Sequence, residues 1–206
     1  NMQYVDLYTP LPDGEGYAVK QSGVLRPAAT RDITYPRIIF DLTIPPGSEQ
    51  TAYLRFQSGA SMTIPLTLWT QKAFLNYSAI EQLLAGIFFG ILFGLLVYNL
   101  FLLISLREVN YLYYVILLAS LIIEEASYNG YLAVYITPNL SSVIQYFEPL
   151  SFSILIASMV LFSDSFLEIR TRLPKLHKAN LLILAAWCVL ILLTPFTSYR
   201  NIASIA

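Results

Sequence analysis

The chain has 206 residues, 56% of them hydrophobic and 12% charged, about half the charge of an average soluble domain. A mean hydropathy of +0.60 excludes one water-soluble fold over the whole length. The net charge of −1, with no basic stripe interleaved with aromatics, excludes a nucleic-acid partner. A single cysteine, Cys188 in an apolar run, excludes an intrachain disulfide framework and a Cys-based zinc site and is expected to serve packing.

No basic or apolar leader opens the chain at Asn1-Met2-Gln3-Tyr4, and the end at Ile205-Ala206 stops just past an apolar segment. The expectation is a piece of a longer protein. Tyr4 to Tyr8 alternates apolar and polar positions, and Pro10, Pro12, Asp13, Gly14 and Gly16 then break the chain before Tyr17-Ala18-Val19 resumes it. Arg37 to Ile44 reads as a strand closed by Pro45-Pro46-Gly47. Thr51 to Gln57 sets Ala52, Leu54 and Phe56 against Tyr53, Arg55 and Gln57. After a turn at Ser58 to Ser61, Met62, Ile64, Leu66 and Leu68 face inward along a last strand, where Pro65 marks an edge or a bulge. Residues 1–75 thus predict part of an all-β sandwich.

Residues 76–206 hold four apolar stretches long enough to span a bilayer core of about 30 Å, at 79–106, 111–136, 144–169 and 179–196. The predicted fold class is a membrane protein: a partial β-sandwich outside the cytoplasm feeding a polytopic α-helical bundle. Arg170, Arg172, Lys175 and Lys178 occupy the connection between the third and fourth stretches, while Thr137 to Ser142 carries no Lys or Arg. The positive-inside rule makes the basic connection cytoplasmic, which puts the Arg107-Glu108 loop inside and the β-domain outside. Tyr111, Tyr113 and Tyr114 at one end of the second stretch, and Tyr128, Tyr131 and Tyr135 at the other, match interfacial aromatic belts.

Gly86, Gly90 and Gly94 recur every four residues along one helix face, a spacing that lets a neighbouring backbone approach. On that reading Gly90→Leu disturbs the bundle more than Leu92→Ala. Asn99 is expected to hydrogen-bond across to another helix. Glu124 and Glu125 interrupt an apolar run, and ionisable groups at membrane depth are functional candidates by default. They point about 100° apart, so at most one is expected to face the bundle interior and the other to lie near the outer headgroups, and a polar pocket and a shallow interfacial position are equal alternatives. Glu148-Pro149 predicts the start of the third helix. Asp164 and Glu168 are expected to pair with Arg170 or Arg172, and His177 to be solvated. No Ser/His/Asp arrangement, metal-ligand cluster or phosphate-cradling loop is present, so no catalytic residue, metal or cofactor is expected.

The pieces Tyr53 to Ser58, Pro65-Leu66-Thr67-Leu68-Trp69, the Gly86, Gly90, Gly94 repeat with Tyr98-Asn99-Leu100-Phe101, then Arg107-Glu108 and Tyr111-Leu112-Tyr113-Tyr114 follow in order. In combination they resemble the bacterial seven-transmembrane receptors with diverse intracellular signalling modules. The resemblance implies a jelly-roll-like periplasmic domain similar to carbohydrate-binding modules, then seven helices, of which four fall here, then a cytoplasmic output domain. It implies a multi-pass protein of the bacterial inner membrane, with the N-terminal domain periplasmic. The expected function is a signalling receptor; a transporter or channel subunit using Glu124 or Glu125 is the alternative. Tyr53, Arg55 and Gln57, which share a face, and Trp69 are the candidate ligand-binding residues. Expected partners are the lipid bilayer, a carbohydrate or other small periplasmic ligand, a signalling domain in cis and a second copy of the chain.

Overall fold

The computed structural model describes residues 2–11, 15–58, 63–138 and 141–202, with the side chains of 141–149 and 190–202 outside the description. The expected turn residues Pro12 to Gly14 and Gly59 to Ser61, and Met62, lie outside the described residues. The chain forms two compact units, Asn1–Leu68 with Glu125–Glu148, and Trp69–Glu124 with Pro149–Ala206.

The first unit holds three antiparallel strands, β1 (Tyr4–Pro10), β2 (Tyr17–Ser22) and β3 (Tyr53–Gln57), in the order β2-β1-β3. Leu7 stands opposite Lys20 and Leu54, and Val5 opposite Ser22 and Phe56. Side chains alternate between faces along a strand, so this register sets Val5, Leu7, Leu54 and Phe56 on one side, with Lys20 and Ser22 of β2 beside them. Val5 and Leu7 are buried there, with Leu54 and Phe56 half-buried, each full burial contributing about 1.5–3 kcal/mol. On the opposite face Asp6 is buried and accepts from Arg26 Nη1, and the Arg26 guanidinium also lies 5.4 Å above the Tyr4 ring.

Two expected strands carry no ladder among the described residues. Around Asp41 in the Arg37 to Ile44 run, backbone groups are taken by side chains instead: Lys20 Nζ donates to Asp41 O at 2.8 Å, and Asp41 N donates to Asp32 Oδ2 at 3.2 Å. Lys20 also pairs with Asp32 at 2.7 Å, which ties the run to β2 without strand pairing. Residues 63–70 are exposed throughout and form no element, and Pro65 has no N–H to offer a ladder.

The second unit is helical. α1 (Gln71–Leu106) has 36 residues, about 54 Å at 1.5 Å per residue, longer than a bilayer core. Thr70 caps it, its hydroxyl accepting from Ala73 N at 3.3 Å. At its other end Arg107 takes a left-handed φ of 56° and closes the helix through its N–H to Leu103 O. α2 (Val109–Tyr128), α3 (Ser141–Phe166), the one-turn α4 (Ile169–Arg172) and α5 (Pro174–Ile202) follow. Among the described residues α1 and α2 are long and apolar enough to cross a membrane, and Leu150–Phe166 of α3 is a shorter apolar segment.

α2 and α3 run antiparallel, joined by the Ser165 hydroxyl donating to Asn110 Oδ1, the Tyr114 and Phe162 rings at 5.1 Å, and Ser120 Oγ to Ser158 Oγ at 3.3 Å. α5 returns along α3 through Phe152 with Trp187, rings 6.5 Å apart, and through Asp164, which meets His177 Nδ1 at 2.8 Å and accepts from Asn180 Nδ2 at 3.4 Å. His177 is therefore half-buried and partnered, not solvated. Of the expected pairs, Glu168 does hold Arg172, at 3.1 Å. Cys188 is exposed on α5, so the expected packing role has no counterpart among the described residues. Pro149 stands inside α3, which starts at Ser141 and not at Glu148.

Candidate functional site

The expected span 111–136 is cut short at Tyr128. Asn129 N donates to Glu125 O and Gly130 N to Ser127 O, while Gly130 adopts φ +81°, a left-handed stop that favours glycine. A π-helical turn, Leu132–Ile136, continues from there, with Leu132, Ala133 and Val134 buried. Thr137 closes the turn by donating its N–H and its hydroxyl to Leu132 O. This α2–α3 connection belongs to the same compact unit as the sheet, and its contacts with the segment 28–36 lie within that unit.

Two backbone contacts make the junction. Ala28 N, at the start of a 3₁₀ turn spanning Ala28–Thr30, donates to Pro138 O at 3.1 Å. Gly130 sits against Pro36: a Cβ on Gly130 would lie 2.5 Å from Pro36 O. The Pro36 segment is itself held in place, because Arg31 Nη1 donates to Tyr35 O at 2.7 Å and to Pro36 O at 3.2 Å, and Tyr35 is buried. Burial holds the Arg31 guanidinium below the usual arginine range, and its Nε has no acceptor among the described residues. The guanidinium thus donates to two successive carbonyls and holds the Tyr35-Pro36 segment.

Tyr53, Arg55 and Gln57 do share one face of β3 and are exposed there. Their cross-strand partners on β1 are Tyr8, Asp6 and Tyr4, and Tyr17 from β2 meets Tyr53 edge-on with ring centroids 5.7 Å apart. The face therefore presents two exposed rings beside a cation and an amide. Trp69 is not part of it: it belongs to the helical unit, where its ring packs on Tyr77 at 4.9 Å.

In the bundle, Gly86, Gly90 and Gly94 line a strip of α1 with nothing within 4 Å of the Cβ each lacks. Leu92, expected to matter less than Gly90, is the buried side chain of that stretch, with Ser78 and Asn99. Asn99 Nδ2 donates within its own helix, to Leu95 O at 2.8 Å, in place of the expected bond across to another helix. Glu124 and Glu125 are both half-buried, and they fall in different units. Glu125 accepts from Asn129 Nδ2 at 2.9 Å, on both its carboxylate and its carbonyl, and so helps to close α2. Among the described residues no group of three or more His, Cys, Asp or Glu is placed to hold a metal.

Sequence reasoning missed Gly130 and its seat on Pro36, and it passed over the serines. Gly130 after Tyr128-Asn129 carried a helix-stop signal, hidden because apolar residues continue to Ile136. Ser120 and Ser158 are small polar residues within apolar runs, the type that joins helices in lipid.

A family model described as 7TM diverse intracellular signalling matches residues 81–206, and one described as 7TMR-DISM extracellular 2 matches residues 1–70. Neither the curated proteins nor the solved structures offer a match to the chain.

Proposed function

The chain belongs to the family of seven-transmembrane receptors with diverse intracellular signalling modules, and from that premise we propose how it signals. The β-domain lies in the periplasm of a bacterial cell and takes up a small ligand, with a carbohydrate as the leading class. Ligand binding moves the segment 28–36, the junction passes the movement to α2 and α3, and a cytoplasmic output domain reads it. Catalysis, where there is any, belongs to that output domain. Support for the ligand class comes from the exposed Tyr17 and Tyr53 rings beside Arg55 and Gln57, since sugars stack on flat rings and bond to flanking polar groups. Completion of the sheet into a jelly-roll-like sandwich and a multi-pass path through the inner membrane belong to the same reading. Arg170, Arg172, Lys175 and Lys178 favour the cytoplasmic side for the α3–α5 connection.

The observation that carries the proposal is the bond from Ala28 N to Pro138 O beside the Gly130 seat. Ala28→Pro tests it with little else disturbed. Pro27 has ψ 142°, which a following proline requires, and position 28 opens its turn. Only the N–H is lost. In the full-length receptor, ligand-dependent output is expected to fall at least threefold while ligand binding stays unchanged. Undiminished output with the N–H removed would sink this route of coupling.

A further inference from the structure

Where α1 hands over to α2, the helical unit forms a half-open cavity of about 250 Å³. Four rings line it, Tyr111 and Tyr114 from α2 and Phe162 and Phe166 from α3. Tyr114 and Phe162 lie 5.1 Å apart, and Phe162 and Phe166 stack at 5.4 Å with planes 21° apart, so three of the rings form a continuous ladder. The polar lining is Glu108, Asn99 and Asn110. Glu108 forms no ion pair among the described residues. Asn99 uses its Nδ2 on Leu95 O, which leaves its Oδ1 as an acceptor.

The lining therefore offers a carboxylate, two side-chain amides, of which Asn110 already accepts from Ser165, two tyrosines and apolar ring surface, and no cation. An anion finds no positive partner there. A divalent metal wants six or more oxygen ligands, and one carboxylate with one amide oxygen falls short. The Tyr114, Phe162 and Phe166 rings cover one another's faces, so what they offer is apolar surface for alkyl groups, which favours an organic cation over a hydrated inorganic one. The volume is below the range of about 300–1,000 Å³ usual for drug-sized ligands, which suits a headgroup-sized group.

We infer that this cavity binds an organic ammonium group, with Glu108 as its counter-ion and the Tyr114–Phe162–Phe166 ladder as its apolar wall. α1 ends at Leu106 and α2 begins at Val109, so the cavity lies at the ends of two spanning helices, within reach of both an aminophospholipid headgroup and a soluble polyamine.

The test uses the purified chain in nanodiscs of phosphatidylglycerol, with thermal unfolding followed as tetramethylammonium chloride is added against equal sodium chloride. A saturable rise of about 2–8 °C is expected. Glu108→Gln is expected to weaken the apparent affinity at least fivefold while leaving the unliganded Tm in place, and Tyr114→Leu to weaken it as much from a lower unliganded Tm. Should Tyr114→Leu fail to fold, Glu108→Gln decides alone, since Glu108 is exposed and the amide preserves its shape. No rise in the wild type, or an equal rise in Glu108→Gln, overturns the inference. Two further arms separate the sources. Nanodiscs containing phosphatidylethanolamine that raise Tm and abolish the tetramethylammonium effect identify a lipid headgroup, whereas spermidine acting in pure phosphatidylglycerol identifies a soluble amine. A tetramethylammonium response that neither reproduces counts against the site.

Discussion

Gly130 and the strip of Gly86, Gly90 and Gly94 use the same residue in opposite surroundings. At Gly130 a Cβ would meet the Pro36 carbonyl at 2.5 Å and the backbone has a left-handed φ of +81°; along the strip of α1 nothing lies within 4 Å. The spacing of four on α1 announces a packing face, while the isolated glycine announces only a turn. Contact reverses that order. The lesson is that a glycine's role depends on what approaches it, which a periodic pattern cannot report.

Gly130→Ala is expected to have the largest effect, because it adds backbone strain of about 1–2 kcal/mol to an overpacking cost of about 1–3 kcal/mol. Hydrogen exchange of the purified chain is the measurement. Residues 28–36 and 131–138 should lose protection together, with α1 unchanged. Protection lost only around residue 130 would mean that the two segments do not depend on each other.

Leu92→Ala comes next. Leu92 is a buried side chain of α1, and large-to-small changes at such sites cost about 2–5 kcal/mol in water-soluble cores. In lipid the transfer part is weaker, so about 2 kcal/mol is expected, read as a drop in Tm of the purified chain. A cost smaller than that of Gly90→Leu would restore the ranking expected from the glycine spacing.

Much of the fold was legible because its causes are local. The alternation at Tyr4 to Tyr8 and Tyr53 to Gln57, and the apolar length of α1, depend on neighbours a few residues away; the strands stand within the expected runs and α1 ends at Leu106 as expected, but it starts at Gln71, before the expected residue 79 and inside the expected β-domain. Arg37 to Ile44 alternates just as well, yet Lys20 and Asp32 take its backbone groups near Asp41, a tertiary choice that β-propensity does not contain. The shared face of Tyr53, Arg55 and Gln57 was legible for the same local reason. The junction was not, since Ala28 and Pro138 meet across more than a hundred residues through backbone atoms, which leave no mark in side-chain pattern. His177 was misread for a related reason: its partner Asp164 lies on another helix.

Ser120→Ala sharpens the contrast between filled and open surfaces at a smaller scale. The Ser120 hydroxyl bonds to Ile116 O within its helix as well as facing Ser158 Oγ, so the net loss is about 0.6 kcal/mol, the average for such bonds in membranes. A double-mutant cycle with Ser158→Ala measures the shared part. Strictly additive effects would mean that the two hydroxyls meet without coupling.

The smallest effect is expected at Gly90→Ala, and it tests the open half of the comparison directly. Successive residues on a helix turn by about 100°, so Gly90 and Gly94, each two positions from Leu92, lie about 160° away from it, on the far side of the buried face. An added methyl group there meets no atom. The backbone gains a little, since alanine is favoured over glycine in a helix by up to about 1 kcal/mol in water and by less in lipid, where glycine is better tolerated. The expected outcome is therefore an unchanged Tm or a rise of at most about 2 °C. Gly90→Leu extends the test, because a side chain that large finds any backbone packed against the strip. If either variant lowers Tm by several degrees while Leu92→Ala lowers it less, another helix or a second copy covers the glycines, and the difference between Gly130 and the strip disappears.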